Sequence, residues 1–235
     1  MGRIWAIASG SGGVGKSSIA LSLALGAVQR GQKVILMDAS GLSRSCDLML
    51  GIESTMTIDL VDAMTQQMDV ASALYPVPQC SDLRLTNASF QDNVSLSEFS
   101  GIMLVLQSMC DVLVIDLPSG DVPIGEGVLT GRDELIYVLR PDDASIRSTE
   151  RIMQRARACE AGKSLILNRV RRDRVKKGLQ YTHEAVSMTL DCPVLGIIAE
   201  DDGCLVETAS GKAVFAAQRM GNPMKDIVRQ LLSRS

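Results

Sequence analysis

One octapeptide constrains this chain more than any other feature. Gly10-Ser11-Gly12-Gly13-Val14-Gly15-Lys16-Ser17 fits G-x-x-x-x-G-K-[ST] at every fixed position. The apolar run Ile4–Ala8 precedes it, and the helix-like stretch Lys16–Gln29 follows. Strand, glycine loop and helix in that order form a phosphate cradle. The glycines let backbone N–H groups turn inward around phosphate oxygens, and the helix N-terminus adds partial positive charge. Lys16 is spaced to reach the β- and γ-phosphate oxygens, and the Ser17 hydroxyl to ligate Mg²⁺.

The rest of the chain supplies a sheet for that loop. Val34–Met37, Leu83–Leu85, Val112–Ile115, Leu135–Leu139, Leu165–Leu167 and Val194–Ile198 are short runs rich in Val, Ile and Leu. Continuous apolar runs of this kind predict strands covered on both faces. Ser97–Met109 and Ser145–Ala161 have helical spacing between them. The alternation predicts an α/β fold, a mostly parallel β-sheet sandwiched by α-helices, in one nucleotide-binding domain over residues 1–235. Val34-Ile35-Leu36-Met37-Asp38 and Val112-Leu113-Val114-Ile115-Asp116 each end an apolar strand in an acid, the Walker B pattern. Asp38 and Asp116 are therefore expected beside Ser17 at the metal. The aperiodic segments Gly41–Thr57 and Asp116–Gly131 follow those strands and leave the carboxyl edge of the sheet, where open α/β folds bind ligands.

Composition narrows the partners. Twenty-four Lys and Arg against 27 Asp and Glu leave a net charge of −3, and aromatic residues make up 3%, so neither a polycation nor a base-stacking platform is indicated and nucleic acid is not an expected partner. The six cysteines form no Cys-x-x-Cys pair, which argues against a zinc ribbon or a dithiol redox motif and fits a reducing cytoplasm. Met1–Ile7 lacks the apolar core of a signal peptide, and no run reaches the ~18 apolar residues of a membrane-spanning helix.

With these motifs the chain resembles the MinD/ParA family of deviant Walker A ATPases, nearest its septum-site-determining branch, from Arg3 to about Leu232. The marks are Gly10–Ser18, Asp38 with Arg44, Asp47-Leu48 and Gly51 downstream, Asp116-Leu117-Pro118-Ser119-Gly120, Leu165-Ile166-Leu167-Asn168-Arg169, and Val194–Ala199 with Glu200-Asp201. The resemblance implies ATP and Mg²⁺ as ligands, an ATP-dependent homodimer, a protein partner and a role as a spatial switch placing the division site. It assigns phosphate and metal contacts to Lys16, Ser17 and Ser18, metal support to Asp38 and Asp116, and the adenine side to Asn168 and Arg169. An Asn suits a base edge because it offers a donor and an acceptor side by side.

The departures point at hydrolysis. The family's second loop lysine is Ser11 here, and the Asp two residues after Asp38 is Ser40. Leu117 stands where a Ser or Thr is usual, and Ala199 where a Pro is. A cationic finger contributes ~10³–10⁵ in rate, about 4–7 kcal/mol. ATP binding is expected to persist and hydrolysis to be weak, with Arg44, Asp47 and Asp121 as alternative sources of the missing groups. A non-hydrolysing scaffold, or a flagellar-placement or partitioning ATPase of the same family, is the alternative reading. The chain stops at Ser233-Arg234-Ser235 without the branch's membrane-targeting helix, so no direct membrane binding is expected. Met224, Ile227, Val228, Leu231 and Leu232 are expected to form a last core helix, and the basic run from Arg169 to Lys177 a solvated loop.

Overall fold

A computed structural model describes residues 1–40, 45–78, 80–88, 96–120, 128–201 and 221–234. The elements run β1 (Arg3–Ser9), α1 (Lys16–Val28), β2 (Val34–Asp38), α2 (Ser45–Leu50), α3 (Leu60–Thr65), β3 (Tyr75–Val77), β4 (Cys80–Asn87), α4 (Leu96–Ser108) and β5 (Val112–Ser119). They continue with β6 (Glu134–Leu139), α5 (Asp143–Arg155), β7 (Gly162–Val170), α6 (Arg172–Lys176), α7 (His183–Leu190), β8 (Val194–Ala199) and α8 (Gly221–Ser233). The strands form one eight-stranded sheet in the order β3-β4-β2-β5-β1-β6-β7-β8. Every pairing is parallel except β3 with β4. The expected mostly parallel sheet between helices is what forms.

Side chains alternate across the central strands to build two cores. Trp5 and Ile7 of β1 join Ile19, Leu23, Val228 and Leu231 on the α1–α8 face. Ile4, Ala6 and Ala8 join Leu106, Ile146, Ile152 and Val186 on the α4–α5–α7 face. Helix α1 has buried residues on all sides, from Ile19 through Leu25 and Ala27, because the sheet lies under it and α2 and α8 pack over it. A methyl group added at Gly26 would sit 2.8 Å from Val228 Cγ2, so the α1–α8 approach requires glycine. The stripe Met224, Ile227, Val228 and Leu231 is buried here, as expected of a core helix.

Several segments differ from expectation. Strand β5 continues three residues past Asp116, because after an irregularity Ser119 pairs with Ser9. Residues 45–50, within a segment read as aperiodic, form α2. The basic run is not a loop: β7 extends to Val170 and α6 follows. Gln180 holds that corner, accepting from Arg171 N at 2.8 Å and donating to Arg169 O at 3.0 Å. No helix among the described residues is long and apolar enough to cross a membrane.

Candidate nucleotide and metal site

The strand ends are laced together at one edge. Ala88 N donates to Asp38 O at 2.9 Å, Ala39 N to Asp116 O at 2.9 Å and Gly120 N to Ser9 O at 2.7 Å. The loop 10–15 leaves β1 at this edge. Gly13 and Gly15 have φ of 73° and 90°, left-handed values that disfavour a side chain. Gly10 is pressed against α5: a Cβ there would lie 2.2 Å from the Ser148 carbonyl carbon. At Gly12 and Gly13 an added Cβ meets nothing within 4 Å, so the loop is closed toward α5 and open outward. Val14 is buried, while Ser11 is half-buried. Gly15 is the N-cap of α1 and offers no capping side chain, which leaves the first N–H groups of the helix for a ligand.

Asn168 reaches this loop from β7. Its Nδ2 donates to Val14 O at 2.8 Å, and a Cβ on Gly15 would come within 2.3 Å of the same nitrogen. Arg169 follows with a left-handed backbone, φ 55°.

The acids converge as the spacing predicts. Asp38 and Asp116 are register partners on β2 and β5, and both are buried. Lys16 Nζ is 2.5 Å from Asp116 Oδ1, in a pair with 5% and 0% side-chain exposure. Burial lifts the Asp116 carboxyl, Lys16 pulls it back and Asp38 pushes it up again, leaving it at about 6. Ser17, beside Lys16, also lowers the Asp116 carboxyl. Ser18 Oγ stands 3.8 Å from Met49 Sδ of α2. Asp38 is held by neutral donors: Ser40 N at 3.0 Å and Ser40 Oγ at 2.5 Å on Oδ1, and Cys46 N at 2.9 Å on Oδ2. Asp47 accepts from Asn87 Nδ2 at 3.2 Å. Arg44 and Asp121 lie outside the described residues.

A strand-borne acid pair, a buried lysine on one of them and an open glycine loop at a helix start have the chemistry to hold phosphate and a metal ion. A family profile described as ParA, NUBPL iron-transfer P-loop NTPase, matches residues 1–233. The chain belongs to the ParA family of P-loop NTPases. It is 27% identical over 238 residues to the septum site-determining protein MinD of Synechocystis, covering 98% of this chain and 90% of that one. It shares its fold with MinD in the MinC:MinD complex of Aquifex aeolicus, TM-score 0.83, 23% identity, 99% of this chain and 96% of the other. It is also similar to MinD of Pyrococcus horikoshii, solved with Mg-ADP, TM-score 0.79, 20% identity, 99% and 97% covered.

Sequence reasoning passed over Cys46. Its buried thiol lies 4.0 Å from Asp116 Oδ2, and its ligand atom, with those of Asp38 and Asp116, falls within a 4.8 Å span. No motif spaces a cysteine eight residues after the acid of a strand. Only the start of α2 beside β2 brings it there.

Proposed function

We propose that this ParA-family protein binds ATP with Mg²⁺ and works as a MinD-like switch in division-site placement, turning ATP over slowly. The observation that carries the reading is Lys16 held on buried Asp116 beside a glycine loop whose outward face is open. The loop amides and Lys16 suit phosphate oxygens, and the hard oxygen donors Ser17, Asp38 and Asp116 suit Mg²⁺. Ser18 would extend the phosphate contacts, and Asn168, which reaches the loop, with Arg169 next to it on β7 would serve the adenine side. Mg²⁺, when bound, offsets charge on the phosphoryl oxygens.

Lys16 has two roles that exclude one another at full strength. Without nucleotide it neutralises Asp116. With nucleotide it turns to phosphate, and Asp116 needs a cation in its place. Ligand arrival therefore exchanges one charge pairing for another, so the site changes state with little exposed charge at any stage.

Hydrolysis lacks two groups. Ser11 brings no charge to an opposing subunit's phosphates, and the Ser40 hydroxyl is committed to Asp38 rather than to an attacking water. These same residues support the second reading, an ATP-stabilised scaffold that does not hydrolyse. An ATP-dependent homodimer and a MinC-like protein partner belong to the first reading, with the cytoplasm as its setting. Flagellar placement and partitioning are alternative tasks for the same switch. The iron-transfer element of the profile's description is not carried over, because the cysteines form no Cys-x-x-Cys pair.

The test is ATP binding by calorimetry. Lys16→Ala should remove a charge-assisted contact worth ~1.5–3 kcal/mol, weakening affinity by about ten- to a hundred-fold. Equal affinity in the two proteins would defeat the assignment. Light scattering with ATP, ADP and no nucleotide, alongside phosphate release, separates switch from scaffold.

A further inference from the structure

The residues around Asp38 hold more ligand chemistry than Mg²⁺ uses. Asp38 and Asp116 lie side by side on β2 and β5, and Cys46 enters from the first turn of α2 with its N–H anchored on Asp38 Oδ2. All three side chains are buried, at 3%, 0% and 0% exposure. Their ligand atoms already lie within 4.8 Å of one another. Zinc-length bonds to oxygen and sulfur place tetrahedral ligands about 3.3–3.8 Å apart, so a modest contraction closes the set.

We propose that, in the nucleotide-free protein, Asp38, Cys46 and Asp116 form a mixed carboxylate–thiolate site that captures zinc-class divalent cations, with Cys46 the residue that selects them. The inference rests on the reading above in one respect, that Asp38 and Asp116 face a cation.

Charge and softness carry the argument. Among the described residues, two buried carboxylates with one lysine leave the cluster a unit short of positive charge. A divalent cation bound by both carboxylates and by a thiolate, with Lys16 alongside, sums to zero. On binding, the metal–sulfur bond forms, the S–H bond breaks and its proton leaves to buffer. Without a cation, burial and then the two carboxylates hold the thiol well above its usual range. A thiolate is soft and favours Zn²⁺, Cd²⁺ or Co²⁺ over Mg²⁺, which takes oxygen donors in octahedral geometry. A zinc-class ion here also competes with Lys16 for Asp116, and so opposes the resting state of the loop.

The experiment uses the full chain without nucleotide and Co²⁺ as the probe. A near-ultraviolet thiolate-to-cobalt absorption band should grow to saturation at one Co²⁺ per chain and be displaced by Zn²⁺. Cys46→Ser and Cys46→Ala should each abolish the band, and Asp38→Asn should weaken Co²⁺ binding by at least the roughly 10–100-fold typical of losing a supporting group. Thermal melts confirm that each variant is folded, and two substitutions at 46 protect against one that is not. No band in the parent protein, or an unchanged band in a folded Cys46 variant, overturns the proposal. Failure of Mg-ATP binding would appear separately, in the calorimetry of the parent chain.

Discussion

Two turns leave the same edge of the sheet and have diverged differently. The loop between β1 and α1 keeps every fixed residue of the phosphate motif, with Gly13 and Gly15 in the conformations that need glycine. The connection that follows β2 keeps Asp38 but carries Ser40, hydrogen-bonded back to it, and Cys46 in the space beside it. On the proposed reading the fixed residues of the first turn serve the ground state, where backbone amides and a lysine hold phosphates. The second turn would serve the transition state, where a water must be oriented. Only interactions stronger in the transition state raise turnover. On the proposed reading a chain can keep its grip on nucleotide while losing speed, because the fixed residues of the motif hold phosphates and Ser11 and Ser40 stand where hydrolysis would be helped.

The sharpest way to break that contrast is to restore one residue in each turn. Ser11→Lys with Ser40→Asp should raise single-turnover phosphate release at saturating ATP toward the ~10³–10⁵-fold range of a cationic finger, by more than the product of the single changes. The structure adds a condition. Ser40→Asp replaces the donor on Asp38 with a second carboxylate, so the gain should require Mg²⁺ and the metal-free variant should be less stable. Parent turnover already equal to that of the double variant would show that neither position is limiting.

Next comes the pair that ties the first turn to β5. Lys16→Ala leaves Asp116 buried beside Asp38 with no cation, which should cost about 3–5 kcal/mol in urea unfolding near neutral pH. The sign with pH follows from the raised carboxyl. At about 6, Asp116 binds its proton more tightly when folded, so its contribution is present in acid and fades as pH rises through that value. Removing Lys16 removes a downward pull and raises it further. The deficit of the variant should therefore be widest near about pH 7.5 and narrow toward about pH 5. A deficit independent of pH would mean that Asp116 is not the group left uncompensated.

Within the first turn, Gly10 and Gly12 should separate. Gly10→Ala drives a methyl into the Ser148 backbone and should cost about 1–3 kcal/mol, read by the denaturation midpoint. Gly12→Ala meets open space and should stay within about 0.5 kcal/mol of the parent. The smallest effect is expected at α8. Its apolar stripe is occupied by the core, so ATP should not increase co-sedimentation with anionic vesicles.

The central strands, α1 and the loop between them were legible because burial on both faces writes continuous apolar runs, and because the phosphate motif has fixed spacing. Asp38 and Asp116 were legible as the acids that close apolar runs, although β5 itself continues to Ser119. Strand β3 was not, since Tyr75-Pro76-Val77 is too short to show alternation and contains a proline allowed only at an edge. Helices α2 and α6 are far below the length at which propensity alone sustains a helix, and α6 depends on the Gln180 corner, a tertiary contact. Cys46 was invisible for the same reason. Its meaning comes from a strand two places from β1 and a helix start, and nothing local announces it.

The enclosure of α1 carries a mechanical consequence. Pinned between the sheet and α8, with no room for a methyl where Gly26 meets Val228, this helix is a fixed post rather than a piston. On the proposed reading, phosphates entering the loop meet a helix held on both sides, so the accommodation is expected in the backbone of residues 10–15 and in the Lys16 side chain. The contacts that leave the loop are Gly10 against α5 and Lys16 on Asp116 of β5, so probes attached to those two elements, more than to α1, are expected to register whether the cradle is filled.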